Sequence, residues 1–167
     1  MVDQEELSSL AAQALEHSQG LGYFKNRDFL LREKLHLASE VGEMIGAYLK
    51  LHFADMVKYS EALKCGLEFV PSYDEYVKDS FECESADVVI MLSMILYYYN
   101  GSVTLPNAED DHMEILHYFD MVNTRCAECN WWSALRNAVT ICNRLNIDII
   151  KHVRMKIVYN SLREDHK

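Results

Sequence analysis

The chain has 167 residues, of which half are apolar, and it carries 16 basic against 26 acidic side chains. This length and apolar content indicate one globular domain with a sizeable core and exclude a disordered chain. The formal charge of −10 argues against long nucleic acid as a partner, because a polyanion needs a basic surface. An acidic protein can still bind an anionic substrate if a metal cation stands between them.

No segment of the sequence predicts export or insertion into a membrane. The first ten residues lack a basic region followed by an apolar stretch, so we expect no secretory signal. The longest apolar run, residues 88–99, is shorter than the roughly 20 residues that cross a bilayer. We interpret the five cysteines as reduced thiols of a cytoplasmic protein. Cys126 and Cys129 have metal-type spacing but lack the further ligands of a structural zinc site.

Helix formers dominate the sequence, and only two prolines and six glycines interrupt it. Neither an alternating strand pattern nor a hairpin signal is present, so we predict an all-α helical bundle with a single domain over residues 1–167. The first half of the chain is predicted to form helices over residues 3–17, 26–52 and 55–64. Glycines close two of them, because Gly20 and Gly22 follow the first helix and Gly66 follows the third.

The second half of the chain is also predicted to be helical. Pro71 is predicted to break the chain, and Ser72-x-x-Glu75 indicates a capping box at the start of a long helix that reaches Tyr99. Three further helices are predicted, over residues 113–126, 131–145 and 148–164. Asn146 is the predicted N-cap of the last of these helices.

Two pairs of acidic residues share helical spacing on different helices, Glu40 with Glu43 and Glu84 with Asp87. Residues at i and i+3 project from one helix face, with Cβ atoms about 5–6 Å apart. If the two helices lie side by side, four carboxylates converge, and such a buried cluster needs a cation. Mg²⁺ binds carboxylate oxygens together with substrate phosphates. The two pairs therefore predict a metal site.

An acidic face in contact with solvent is the alternative interpretation of each pair. Glu40 and Glu43 lie beside the apolar arc of their helix, so solvent exposure is the simpler interpretation of that pair alone. Asp87 leads directly into a run that is apolar nearly all round from Val88 onward, which indicates burial. A buried acid needs a partner or a metal, so the second pair favours a site.

The last predicted helix carries a basic face. Lys156, Asn160 and Arg163 fall at i, i+4 and i+7, and residues 151–167 contain five basic and two acidic side chains. Basic and hydrogen-bonding groups on one face suit a phosphate. Charge complementarity with acidic neighbours is the alternative explanation of this face.

Taken together, these segments resemble the MazG family of all-α nucleoside triphosphate pyrophosphohydrolases. Residues 34–43, KLHLASEVGE, are similar to the first metal-binding helix of that family, and residues 81–90, FECESADVVI, are similar to the second. Residues 156–163, with the pattern KxxYNxxR, are similar to its closing segment. The chain departs from the family in two longer segments, residues 52–72 and 102–145, which indicate inserted helices around a four-helix core.

The resemblance implies Mg²⁺-dependent hydrolysis of a nucleoside triphosphate, modified and deoxynucleotides included, to a nucleoside monophosphate and pyrophosphate. The implied metal ligands are Glu40, Glu43, Glu84 and Asp87. Mn²⁺ would substitute for Mg²⁺, and Glu43 would serve as the general base. The implied substrate-binding residues are Lys34, Lys156, Asn160 and Arg163. The resemblance also implies a homodimer or homotetramer.

Two other functions stay open at the level of the sequence. Glu33-x-x-His36 and Glu114-x-x-His117 have the ExxH spacing of di-iron carboxylate bundles, in which Glu40 and Glu84 would be further ligands. The other alternative is a non-catalytic helical module that keeps the fold and binds a nucleotide or a protein. Bound iron would select the first, and nucleotide binding without turnover would select the second.

Overall fold

A computed structural model describes residues 6–20, 29–108 and 113–164 of the chain. Within these ranges the chain forms eight α-helices and no strand, which confirms the predicted all-α class. The helices are α1 Glu6–Gly20, α2 Phe29–Leu49, α3 Met56–Lys64, α4 Phe69–Tyr76, α5 Phe81–Asn100, α6 Ile115–Ala127, α7 Trp131–Arg144 and α8 Ile149–Glu164. The predicted beginnings of the first two helices and the position of Gly22 lie outside the described residues. None of the described helices has the length and apolar content needed to cross a membrane.

The central element is α5, which contacts α1, α2, α7 and α8. Most of its side chains are buried, because the run that begins at Val88 is apolar on every side of the helix. Leu37 and Met44 from α2 join the same core as Leu135 and Ile141 from α7. This core holds the first turns of α5, which carry Glu84 and Asp87, between α2 and α8.

The predicted chain break at Pro71 is wrong. Pro71 lies in the first turn of α4, where a missing N–H leaves no helical hydrogen bond unmade. Ser72 does not cap a helix, since its hydroxyl donates to the Glu68 carbonyl at 2.8 Å. The N-cap of α5 is Ser80, whose hydroxyl accepts a hydrogen bond from the Cys83 N–H at 3.2 Å. The predicted long helix is therefore two helices, α4 and α5.

Other predicted helix ends can be compared with the structure directly. Gly101 follows α5 in a left-handed conformation with φ 71°, and Gly66 follows α3 with φ 87°, as glycines at helix ends commonly do. The prediction of Asn146 as N-cap is wrong. The Asp148 carboxylate accepts from the Lys151 N–H at 3.1 Å, whereas Asn146 lies in the preceding turn with φ 56°.

The segment between α2 and α5 forms a small helical unit of α3 and α4 that contacts α8. Tyr73 of α4 stacks on Tyr159 of α8 with ring centroids 4.4 Å apart, and the Tyr159 hydroxyl donates to Asp74 at 2.6 Å. The buried Glu82 carboxylate accepts from the Ala54 N–H at 2.8 Å, which joins the preceding loop to α5. These contacts fix α5 and α8 relative to each other next to the acidic residues of α5.

Candidate active site

Three of the four predicted metal ligands converge where α2 and α5 lie against each other. One oxygen atom each of Glu40, Glu84 and Asp87 lies within 4.8 Å of the other two. The convergence follows from the i, i+3 spacing on α5 and from the contact of that helix with α2. Glu43 is outside this group of three. Its side chain is exposed, and it accepts a hydrogen bond from the Ser39 hydroxyl at 3.3 Å.

The two carboxyl groups of α5 are unfavourable as anions. Burial and the negative charge of Asp87 together raise the pKa of Glu84 to about 7. Burial also raises the pKa of Asp87 to about 6, although Lys156 favours the charged form. The charges of Glu40 and Glu43 act on both groups in the same upward direction. A cation among these oxygens would relieve the repulsion, so the donor set fits a hard divalent ion.

Lys156 of α8 lies against the acidic cluster from the other side. Its Nζ is 2.5 Å from Asp87 Oδ2 and 3.2 Å from Cys83 Sγ. Burial lowers the pKa of Lys156, but its charge interactions and hydrogen bonds with Asp87 and Cys83 together more than offset this, and the net pKa is raised. Lys156 is therefore a cation at neutral pH. Because a single ammonium group faces three converging carboxylates, the cluster keeps a negative charge.

A cavity of about 540 Å³ opens between α1, α2, α5 and α8 beside this cluster. Its volume falls in the range of roughly 300–1,000 Å³ that is usual for small-molecule sites. Glu40 and Asp87 line it, and α8 adds Lys156, Asn160 and Arg163 to the lining. The three predicted phosphate-binding residues of α8 thus share one cavity with two of the predicted metal ligands.

The structure does not bring Lys34 to this cavity. Its Nζ donates to the Ala127 carbonyl at 2.7 Å and lies 3.3 Å from Cys129 Sγ. A lysine in this position stabilises the C-terminal end of α6, because the last carbonyl groups of a helix attract a cation. Cys126 is buried and Cys129 is exposed, and the acidic cluster found among the described residues includes neither of them.

Two further residues of α2 line the same cavity, Glu33 and His36. His36 Nε2 is 2.9 Å from Glu40 Oε1, and this hydrogen bond raises the pKa of His36. Their spacing with Glu40, at i, i+3 and i+7, is the sequence signal that places them on one helix face. Glu114 and His117, the other half of the di-iron pattern, line a separate surface depression at α6. The two ExxH pairs therefore do not share one site.

Comparison with known proteins adds no relative. No protein-family model, no curated protein and no solved structure matches this chain. The resemblance to the MazG family therefore stays a prediction that depends on the three sequence segments.

Proposed function

We propose that the protein hydrolyses a nucleoside triphosphate to a nucleoside monophosphate and pyrophosphate in a Mg²⁺-dependent reaction. The observation that carries this proposal is the convergence of Glu40, Glu84 and Asp87 beside a cavity that Lys156 and Arg163 also line. A carboxylate-bound cation and basic side chains are the two kinds of group that bind a triphosphate. Their combination explains how an acidic protein would accept a polyanionic substrate.

Glu40, Glu84 and Asp87 would hold Mg²⁺, for which Mn²⁺ would substitute. Their oxygen atoms suit a hard cation, and their mutual repulsion favours binding one. Glu43 lies near enough for its charge to raise the pKa of both α5 carboxyl groups. When bound, such an ion neutralises phosphate charge and lowers the pKa of a water molecule.

The side chains of the chain itself would supply the remaining tasks. Glu43, exposed and outside the converging group, would accept the proton of the attacking water. Lys156 and Arg163 would bind phosphate oxygens through charge-assisted hydrogen bonds, and Asn160 would donate to a phosphate or a sugar oxygen. The water attacks the α-phosphorus, the bond from that phosphorus to the bridging oxygen breaks, and pyrophosphate leaves.

A nucleotide panel tests this proposal. Purified protein with Mg²⁺ is incubated with normal, deoxy and modified nucleoside triphosphates, and released pyrophosphate and nucleoside monophosphate are measured. We expect both products in equal amounts from at least one nucleotide, and none after chelation of the metal. Absence of turnover across the panel would contradict the proposed activity, and release of orthophosphate would show cleavage at a different phosphorus.

A non-catalytic nucleotide-binding module is the second candidate, and one contact favours it. Lys156 already forms an ion pair with Asp87 at 2.5 Å, so an amino group neutralises part of the acidic cluster without a metal. Such a module would bind nucleotides in the same cavity and release no pyrophosphate. Isothermal titration calorimetry beside the nucleotide panel distinguishes the two candidates.

We further propose a cytoplasmic homodimer or homotetramer. The outer face of α2 supports the oligomer, because Leu31, Leu35 and Leu49 are each at least 60% exposed on one stripe of that helix. Small residues, Ala38 and Gly42, lie between them on the same stripe and would allow a second helix to approach closely. Five free cysteines support a reducing compartment.

A further inference from the structure

We infer that the cavity selects a guanine base, and that the buried carboxylate of Glu33 recognises it. The inference rests on the proposed function, since it takes the same cavity to be a nucleoside triphosphate site. Glu33 lines the cavity with Glu40 and Asp87 but is not among the oxygens that converge as metal ligands. Glu33 is therefore a polar residue of the cavity that has no role in the proposed binding of phosphate or metal.

The position of Glu33 along α2 suits a contact with the base. Glu33 and Glu40 are seven residues apart, which places them on the same helix face and about 10 Å apart along the axis. Both line the cavity. A nucleotide whose phosphates lie near Glu40 and Lys156 would extend its base by about this distance, toward Glu33.

Among the described residues, no donor is directed at the carboxylate of Glu33. Only 5% of this residue is exposed, and within the described residues no hydrogen bond or ion pair reaches its carboxylate. Burial raises its pKa, and the nearby charges of His36 and Arg32 only partly offset this. Because Glu33 lines the cavity, a ligand that brings N–H groups to its carboxylate gains charge-assisted hydrogen bonds.

Guanine is the base whose edge matches an ionised carboxylate. Its N1–H and N2–H₂ groups are adjacent donors, and a carboxylate accepts both with its two oxygens. Adenine and cytosine place an unprotonated ring nitrogen beside their amino group, which repels a carboxylate oxygen, and uracil offers a single N–H between two carbonyls. Ile90, Met91 and Met94 line the cavity one to two turns along α5 from Asp87, and their apolar side chains suit the faces of a base.

The test compares the wild type with Glu33→Gln and with a matched control, Glu61→Gln, an exposed residue of α3 that does not line the cavity. Binding of non-hydrolysable GTP, ITP, ATP, CTP and UTP analogues with Mg²⁺ is measured by calorimetry, and pyrophosphate release from the natural nucleotides is measured in parallel. The wild type and Glu61→Gln should bind the GTP analogue best. Glu33→Gln should weaken that binding about 10- to 100-fold, the loss expected for hydrogen bonds to a charged acceptor. The ITP analogue, which lacks the N2 amino group, should fall between GTP and ATP for the wild type.

The outcomes separate this inference from the proposed hydrolysis. An unchanged GTP-to-ATP binding ratio in Glu33→Gln, or a preference of the wild type for a pyrimidine, overturns the inference even when pyrophosphate is released. Guanine-selective binding that depends on Glu33, without pyrophosphate release, supports the inference and contradicts the hydrolysis. If thermal unfolding shows that Glu33→Gln is not folded, the binding data of the wild type test the inference without the variant. Equal affinity of the wild type for the ITP and GTP analogues overturns the contact between the carboxylate and the N2 amino group.

Discussion

Glu84 and Asp87 are buried carboxyl groups that folding makes harder to ionise. Their pKa values rise from 4.5 to about 7 and from 3.8 to about 6, mainly through burial. A group whose pKa is raised on folding binds protons more readily in the folded state, so its ionisation destabilises the fold. The penalty is absent below the unfolded pKa and is complete above the folded pKa. Unfavourable ionisable groups that line or adjoin a cavity are typical of functional sites.

We expect Glu84→Gln to stabilise the metal-free protein at pH 8 and to remove pyrophosphate release. The amide keeps the shape and removes the charge, and the rise from 4.5 to about 7 corresponds to at most about 3 kcal/mol. Urea unfolding without Mg²⁺ measures the stability difference, which should vanish near pH 4, where the wild-type carboxyl group is protonated in the folded protein. Pyrophosphate release with Mg²⁺ measures the functional effect.

The exposed Glu61→Gln serves as the control, since its stability and turnover should match those of the wild type. A Glu84→Gln variant that is no more stable than the wild type at pH 8 would show that the anion is not destabilised in the folded state. Wild-type pyrophosphate release by the variant would show that the metal site lies elsewhere.

At the scale of the helix, the start of α5 depends on the cap at Ser80. We expect Ser80→Ala to lower the free energy of unfolding by about 1 kcal/mol, because the Cys83 N–H loses its acceptor in a buried position. Ser72→Ala should cost less, because Ser72 lies inside α4, donates to a carbonyl of its own helix and gives way to a better helix former. Urea unfolding of both variants measures the difference. A larger loss for Ser72→Ala would contradict the assignment of Ser80 as the cap.

The boundary between α4 and α5, which the sequence did not predict, shows where local signals are insufficient. Ser72 and Ser80 both lie at positions from which a hydroxyl can cap a helix, and Ser72 has the additional glutamate three residues later. Tertiary contact decides between them, because the Phe81 N–H donates to the His52 carbonyl at 2.7 Å and holds the chain at the start of α5. The end of α5 at Gly101 was predictable, because a left-handed backbone conformation at a helix end favours glycine whatever the tertiary contacts are.

The same distinction applies to the candidate site. The i, i+3 spacing predicted both acidic pairs, and of the two predicted residues on α2 only Glu40 converges with Glu84 and Asp87. Lys34 is on the same helix as Glu40, but α6 lies near it and supplies a carbonyl acceptor, which no periodicity within α2 reveals. The cavity beside Glu33 depends on how α1 and α8 lie across α5, which is a property of the assembled bundle.

At the scale of the whole molecule, the basic residues of α8 connect distant acidic residues. Arg154 forms an ion pair with Glu6 of α1, and Lys156 forms one with Asp87 of α5. The first pair is largely exposed and contributes little to stability, whereas the second is largely buried. The charge of −10 is therefore unevenly distributed, since α8 carries four basic side chains against one acidic one.

Another residue of α8, His152, makes the stability of the bundle depend on pH. Ionisation of Glu84 destabilises the fold as the pH rises, whereas protonation of His152 destabilises it as the pH falls. His152 is 5% exposed, and its Nδ1 has no hydrogen-bond partner within the described residues. Burial and, to a smaller extent, the charge of Lys151 lower its pKa from 6.5 to about 4. The neutral ring therefore contributes stability above pH 6.5 that is lost as the pH falls toward 4.

We expect His152→Phe to remove this loss of stability in acid. Between pH 7.5 and pH 3.5 the wild type should lose about 3 kcal/mol relative to the variant, which corresponds to the fall in pKa from 6.5 to about 4. Urea unfolding of both proteins across this range gives the difference, in which the contributions of the acidic cluster cancel. His117→Phe, an exposed histidine of α6, is the matched control and should follow the wild type. A difference between wild type and His152→Phe that stays constant with pH would mean that His152 is protonated in the folded protein as readily as in the unfolded chain.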